Sequence, residues 1–124
     1  MEVIDTFAWI EYFAGSARGA KAKPFIERGD AITPAIVIAE FADKYLREGI
    51  NPDERLKFVR TKTVVAPLDD ETAEAAGRIS AERRAKAKGW GMADSCILAT
   101  ARVRAAKVVT GDAHFEDLDE AILI

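Results

Sequence analysis

Four short β-branched runs recur along the chain, and the stretches between them have helical spacing; this alternation narrows the fold more than any other feature. Val3-Ile4, Ala31-Ile32-Thr33, Thr63-Val64-Val65-Ala66 and Lys107 to Thr110 read as strands. Between them the sequence predicts helices over Thr6 to Phe13, ended by Gly15-Ser16, and over Ala20 to Arg28, ended by a Gly29-Asp30 turn. Pro34 opens a helix running to about Arg47, and Pro52 opens another running through Arg60. Asp69 or Asp70 caps a long Ala-rich helix, which Gly89-Trp90-Gly91 separates from a last one over Met92 to Ala105. Ile122-Leu123-Ile124 supplies a further edge strand. Parallel strands need long crossovers, which helices provide, so the pattern implies an α/β fold with a central, mainly parallel sheet covered on both faces.

No linker, repeat or low-complexity tract divides the 124 residues, so a single domain over 1–124 is expected. A hydrophobic content of 49% is enough for one buried core without disulfides. The lone Cys96 sits among Ile97, Leu98 and Ala99 and reads as a small buried hydrophobe, which suits a reducing cytoplasm. The opening Met1-Glu2-Val3-Ile4 lacks the basic-then-apolar pattern of a signal peptide, and no apolar run reaches membrane-spanning length. A net charge of −3 argues against binding to nucleic acid through overall charge and leaves room for a local basic track.

Four acids carry the chemistry: Asp5, Glu40, Asp94 and Asp112 each fall where an apolar run gives way to a turn or early in a helix. In open α/β sheets these positions gather at the carboxyl ends of the strands. Each acid also has a purely local explanation. Asp5 can cap the helix that starts at Thr6, and Glu40 can lie on a solvated face with Lys44 four residues on. Asp94 can accept from free N–H groups in its helix's first turn, and Asp112 can cap a short helix through His114-Phe115-Glu116. One shared cation site accounts for all four together. Crowded carboxylates repel unless divalent ions neutralise them, and an oxygen-rich set without a Cys or multi-His cluster selects Mg²⁺ or Mn²⁺.

Four segments, in this order, carry a family resemblance: Val3-Ile4-Asp5-Thr6-Phe7-Ala8-Trp9-Ile10, Pro34-Ala35-Ile36-Val37-Ile38-Ala39-Glu40, Ala93-Asp94-Ser95-Cys96-Ile97-Leu98-Ala99-Thr100-Ala101, and Val109-Thr110-Gly111-Asp112-Ala113-His114-Phe115. Over essentially its whole length the chain resembles the PIN-domain ribonucleases, and among them the small VapC-like toxins of toxin–antitoxin pairs. The resemblance implies a three-layer α/β/α fold and a metal-dependent endoribonuclease in which Asp5, Glu40, Asp94 and Asp112 hold one or two Mg²⁺ or Mn²⁺ ions. It also implies support from Thr6 and Thr110, a homodimer, and inhibition by a VapB-like antitoxin. Phe7 departs from the pattern, because the family commonly has Ser after Asp-Thr.

RNA needs positive potential near such acids, and Arg78, Arg83, Arg84, Lys86 and Lys88 form a basic run before Asp94; a solvated helix face with Glu82 interspersed is the plainer explanation. Trp90 either stacks on an unpaired base or anchors the following helix. His114 can be a general base, although metal activation makes a base dispensable. Phe13, Phe25, Ile26, Tyr45 and Leu46 are candidates for an apolar contact strip, or for core. The competing readings are a PIN-type RNA-processing nuclease, a dehalogenase-like phosphatase that would need an acid at the place of Phe7, a receiver-like Mg²⁺-binding domain, and an inactive RNA-binding module.

Overall fold

Five strands of three or four residues form one sheet in which every neighbouring pair is parallel: β1 (Glu2–Ile4), β2 (Ile32–Pro34), β3 (Val64–Ala66), β4 (Lys107–Thr110) and β5 (Ala121–Leu123). The spatial order is β3-β2-β1-β4-β5 in this computed structural model, which describes residues 1–124. From β1 the chain winds outward to β3, returns to the centre at β4 and ends at the β5 edge. A receiver domain has the order 2-1-3-4-5, so the topology overturns that reading.

Successive strand residues point to opposite faces, and in the central strands both sets are buried: Val3, Ile4, Val108 and Val109 are fully inaccessible. Helices therefore cover both faces, giving the three-layer α/β/α arrangement. Val3 pairs with Val108 and Ile4 with Val109, so β1 and β4 end side by side. The direction of winding reverses between these two strands, and the crevice at their carboxyl ends is where open α/β sheets bind ligands.

The helices are α1 (Thr6–Ala14), α2 (Ala17–Glu27), α3 (Ala35–Arg47), α4 (Asp53–Lys62), α5 (Asp70–Arg83) and α6 (Met92–Val103), with one 3₁₀ turn at Ala113–Phe115. Helix α2 begins three residues earlier than the sequence predicts, because the Ser16 hydroxyl accepts from the Gly19 N–H at 3.0 Å and caps it. Gly19 also lets α2 lie directly on α1; a Cβ there would stand 2.1 Å from the Glu11 carbonyl oxygen. Helix α5, capped by Asp69, stops at Arg83 rather than continuing towards Lys88. The side chain of Arg83 turns into the protein, and residues 84–89 follow as turns ending at Gly89, φ +84°.

The core is one cluster of 26 buried apolar residues. Trp9 sits at its polar seam: its indole Nε1 donates to Thr33 Oγ1 at 3.1 Å, Thr33 and Thr63 hydroxyls meet at 2.7 Å, and Thr63 donates to the Val59 carbonyl at 2.8 Å. Each polar group in this Trp9–Thr33–Thr63–Val59 series has a partner, as burial demands. Ile26 and Tyr45, two candidates for a contact strip, belong to this core, whereas Leu46 is 63% exposed. No helix is long and apolar enough to cross a membrane.

Candidate active site

Asp5 follows β1 immediately and is buried, 3% exposed. Its backbone is extended, so its Oδ1 accepts from the Ala8 N–H at 2.8 Å and caps α1. The hydroxyl of Thr110, at the end of neighbouring β4, lies beside the Asp5 carboxylate and favours its charged form. Burial nevertheless pushes the Asp5 pKa up to about 7, with Thr110 and Ala8 opposing and the charges of Asp112 and Glu40 adding to the rise. Capping and clustering therefore coexist at this residue.

Asp112 stands two residues beyond β4. Its own N–H donates to Thr110 Oγ1 at 3.0 Å, and its Oδ1 accepts from the His114 N–H at 2.9 Å, starting the 3₁₀ turn. Thr110 thus touches both Asp5 and Asp112 across the β1–β4 crevice. Asp94 enters from the first turn of α6, where its Oδ2 accepts from the Gly91 N–H at 3.0 Å.

Glu40 projects from α3 and accepts from the Thr6 hydroxyl at 2.6 Å. Half-burial raises its pKa; the Thr6 bond opposes this, and the charges of Asp94 and Asp112 reinforce it. Its expected helix partner Lys44 pairs instead with Glu48 at 3.1 Å, so Glu40 faces the other acids rather than a cation. The four carboxylates come from four separate segments and none pairs with a lysine or arginine. His114 is their one basic neighbour, with Nδ1 3.2 Å from Asp94 Oδ2 and 3.5 Å from Asp112 Oδ1.

A buried carboxylate held near neutral pKa beside three further acids is a donor set that a divalent ion would satisfy, and its hard oxygens fit Mg²⁺ or Mn²⁺. The largest cavity, about 510 Å³, lies elsewhere, lined by Tyr12, Phe13, Gly19, Lys23 and Phe58.

The basic run divides. Arg83 is buried: both its terminal nitrogens reach Asp117 at 2.8 Å, Nη2 also donates to the His114 carbonyl at 2.9 Å, and the guanidinium lies 4.6 Å from the centre of the Trp90 ring. It cannot meet a phosphate, which corrects the expectation for this residue. Arg78 pairs with Glu74, Arg84 donates to Ser80, and Lys86 pairs with Glu82, all near the surface. Lys86 and Lys88 line the same depression as His114. Trp90 is an anchor rather than a stacking platform: it is buried, packs on Phe115 and donates to Ser95 Oγ at 2.7 Å at the start of α6.

Two contacts had no clear signal in the sequence. The Phe7 ring presses on Gly111, where a Cβ would stand 2.3 Å from Phe7 Cε1, so the residue beside Asp112 must be bare. The position of Arg83 was hidden because a helix-end arginine among exposed charges looks no different from its neighbours.

With this geometry established, comparison gives the family. The PIN domain profile matches residues 3–121, and the chain belongs to the PIN-domain family. Comparison with curated proteins gives no sequence match. Among solved structures, similarity extends to a toxin–antitoxin complex from Klebsiella pneumoniae at 16% identity and TM-score 0.78, covering 98% of this chain and 96% of that one. VapC20 of Mycobacterium tuberculosis, a sarcin-ricin loop cleaving toxin, matches at 18% identity and TM-score 0.74, covering 96% and 95%. DNA-bound VapBC from Salmonella typhimurium matches at 20% identity and TM-score 0.72, covering 100% and 98%. At these identities the likeness is one of fold.

Proposed function

We propose that this protein is a divalent-metal-dependent endoribonuclease that acts as the toxin of a toxin–antitoxin pair and is held inactive by a cognate VapB-like antitoxin. The observation that carries the reading is the convergence of Asp5, Glu40, Asp94 and Asp112, from four distant segments, at the β1–β4 crevice without a lysine or arginine among them. Asp5, Glu40, Asp94 and Asp112 would hold Mg²⁺ or Mn²⁺, with Thr6 fixing the Glu40 carboxylate and Thr110 the backbone of Asp112. When bound, such an ion supplies an activated water and charge stabilisation for the departing oxygen of a phosphodiester.

The chain's own residues do the positioning. Thr110 holds Asp5 and the Asp112 backbone in one relation, so the two loops after β1 and β4 present their carboxylates together. Thr6 turns Glu40 towards them. Lys86 and Lys88, at the His114 side, offer charge to the backbone of a single-stranded or looped RNA. The similar structures from Klebsiella pneumoniae and Salmonella typhimurium are toxin–antitoxin assemblies, which favours the toxin role over RNA processing. A homodimer is part of the same proposal.

The experiment is cleavage of structured and unstructured RNAs by the purified, antitoxin-free protein with Mg²⁺, Mn²⁺ or EDTA, alongside Asp5→Asn and Asp94→Asn. Metal-dependent cutting that both substitutions abolish is the expected result. Cutting that survives EDTA, or persists in both variants, would refute the proposal.

A further inference from the structure

His114 stands against two of the four acids at once. Its Nδ1 faces Oδ2 of Asp94 at 3.2 Å and Oδ1 of Asp112 at 3.5 Å, and the three donor atoms lie within 4.8 Å of one another. An ion bonded at about 2.1 Å to neighbouring ligands holds those ligands roughly 3 Å apart, so the two nitrogen–oxygen separations are close to an edge of a coordination shell. The imidazole is also braced. Its backbone N–H donates to Asp112 at 2.9 Å and its carbonyl accepts from the buried Arg83 at 2.9 Å, which fixes the residue on both sides. Gly89, lacking a side chain, leaves the far nitrogen Nε2 unobstructed; a Cβ there would stand 3.0 Å from it.

We propose that His114 is a metal ligand, forming with Asp94 and Asp112 a mixed imidazole–carboxylate position that takes Mn²⁺ or another first-row transition ion in preference to Mg²⁺. The proposal rests on the metal-dependent reading above and adds to it a nitrogen ligand and a selectivity. Imidazole suits the transition ions, whereas Mg²⁺ is served by oxygen and water. Without an ion, an Nδ1–H donates to the carboxylates; with one, Nδ1 gives its lone pair to the ion and the neutral ring carries its proton on Nε2.

The chain has a single histidine, so its ring nitrogens give the only imidazole signals in a ¹⁵N spectrum and need no assignment. Titration of the metal-free protein with diamagnetic Zn²⁺ should move Nδ1 to the position of a metal-bound nitrogen, and Mg²⁺ should not. Calorimetry should show Mn²⁺ affinity falling about tenfold or more in His114→Ala, with Mg²⁺ affinity changed less than about threefold. Far-UV circular dichroism and thermal melting of the variant confirm that it is folded. If wild-type protein binds Mn²⁺ but His114→Ala binds it equally well and Nδ1 does not respond to Zn²⁺, His114 is only a hydrogen-bond donor and the proposal fails alone. If wild-type protein binds no divalent ion at all, this inference and the metal-dependent function fall together.

Discussion

Arg83 grips Asp117 through both terminal guanidinium nitrogens, each 2.8 Å from a carboxylate oxygen, and with one of them also holds the carbonyl of His114. The pairing joins the end of α5 to the turn that carries Asp112 and His114, so a charge that looks available to RNA is spent on holding the site. Replacing Arg83 with Gln removes hydrogen bonds from a buried charge, and a loss of about 2–3 kcal/mol in urea unfolding is expected. The salt dependence of RNA binding should be unchanged. Lys86→Ala and Lys88→Ala should behave oppositely, each reducing the slope of log affinity against log salt by about 0.7 while leaving stability within about 0.5 kcal/mol. An Arg83 variant that keeps full stability but loses salt dependence would contradict the assignment.

The difference between these residues shows what the sequence can and cannot carry. Strand and helix order is written in β-branched runs, Gly and Pro, and β4 occupies the predicted Lys107–Thr110. Asp5, Asp94 and Asp112 fall next to turns or helix starts, and such positions announce themselves. The end of α5 does not: Arg83 and Arg84 are adjacent, yet one is buried and the other exposed, a distinction set by a partner 34 residues away. Gly111 is similarly mute, since its need to be glycine arises from the Phe7 ring across the crevice rather than from its own backbone.

Asp5 makes the metal-free protein sensitive to pH. Its pKa rises from an ordinary 3.8 to about 7 on folding, so between these values the folded state retains a proton that the unfolded chain has released. The contribution of Asp5 to stability is then greatest below about pH 4, falls as pH rises to about 7, and levels off above it. Glu40, raised in the same direction, adds to the fall. In EDTA, Asp5→Asn should flatten this part of the profile and melt above wild type at pH 8; Mg²⁺ or Mn²⁺ should stabilise wild type and have far less effect on the variant. A wild-type melting temperature that climbs from pH 5 to pH 8 in EDTA would count against the buried, uncompensated carboxylate.

Asp94 separates function from folding. Its Oδ2 accepts from the Gly91 N–H at 3.0 Å, a bond that an asparagine oxygen can still accept. Asp94→Asn removes one of four crowded charges, so stability should change by less than about 1 kcal/mol while cleavage is lost. Chemical denaturation beside a single-turnover cleavage assay makes the comparison. Loss of activity only in step with loss of fold would show Asp94 to be a structural cap and nothing more.

Phe7 and Gly111 form a matched pair beside the acids. The ring occupies the place a side chain at 111 would need, and a Cβ there would lie 2.3 Å from Cε1 and 2.6 Å from Cδ1. Gly111→Ala forces either Phe7 or the β4 loop to move, with an expected cost of about 1–3 kcal/mol. Asp112 is the next residue, so cleavage should fall further than stability alone explains. Phe7→Ser, which restores the residue common in the family, gives up a half-buried ring at a cost of about 1–2 kcal/mol and opens the space. The two changes should therefore compensate: in Phe7→Ser/Gly111→Ala the alanine should cost about 1 kcal/mol less than it does opposite Phe7, and part of the lost cleavage should return. Strictly additive stabilities across this cycle would mean that the ring and the glycine do not constrain each other, and that Phe7 has no part in placing Asp112.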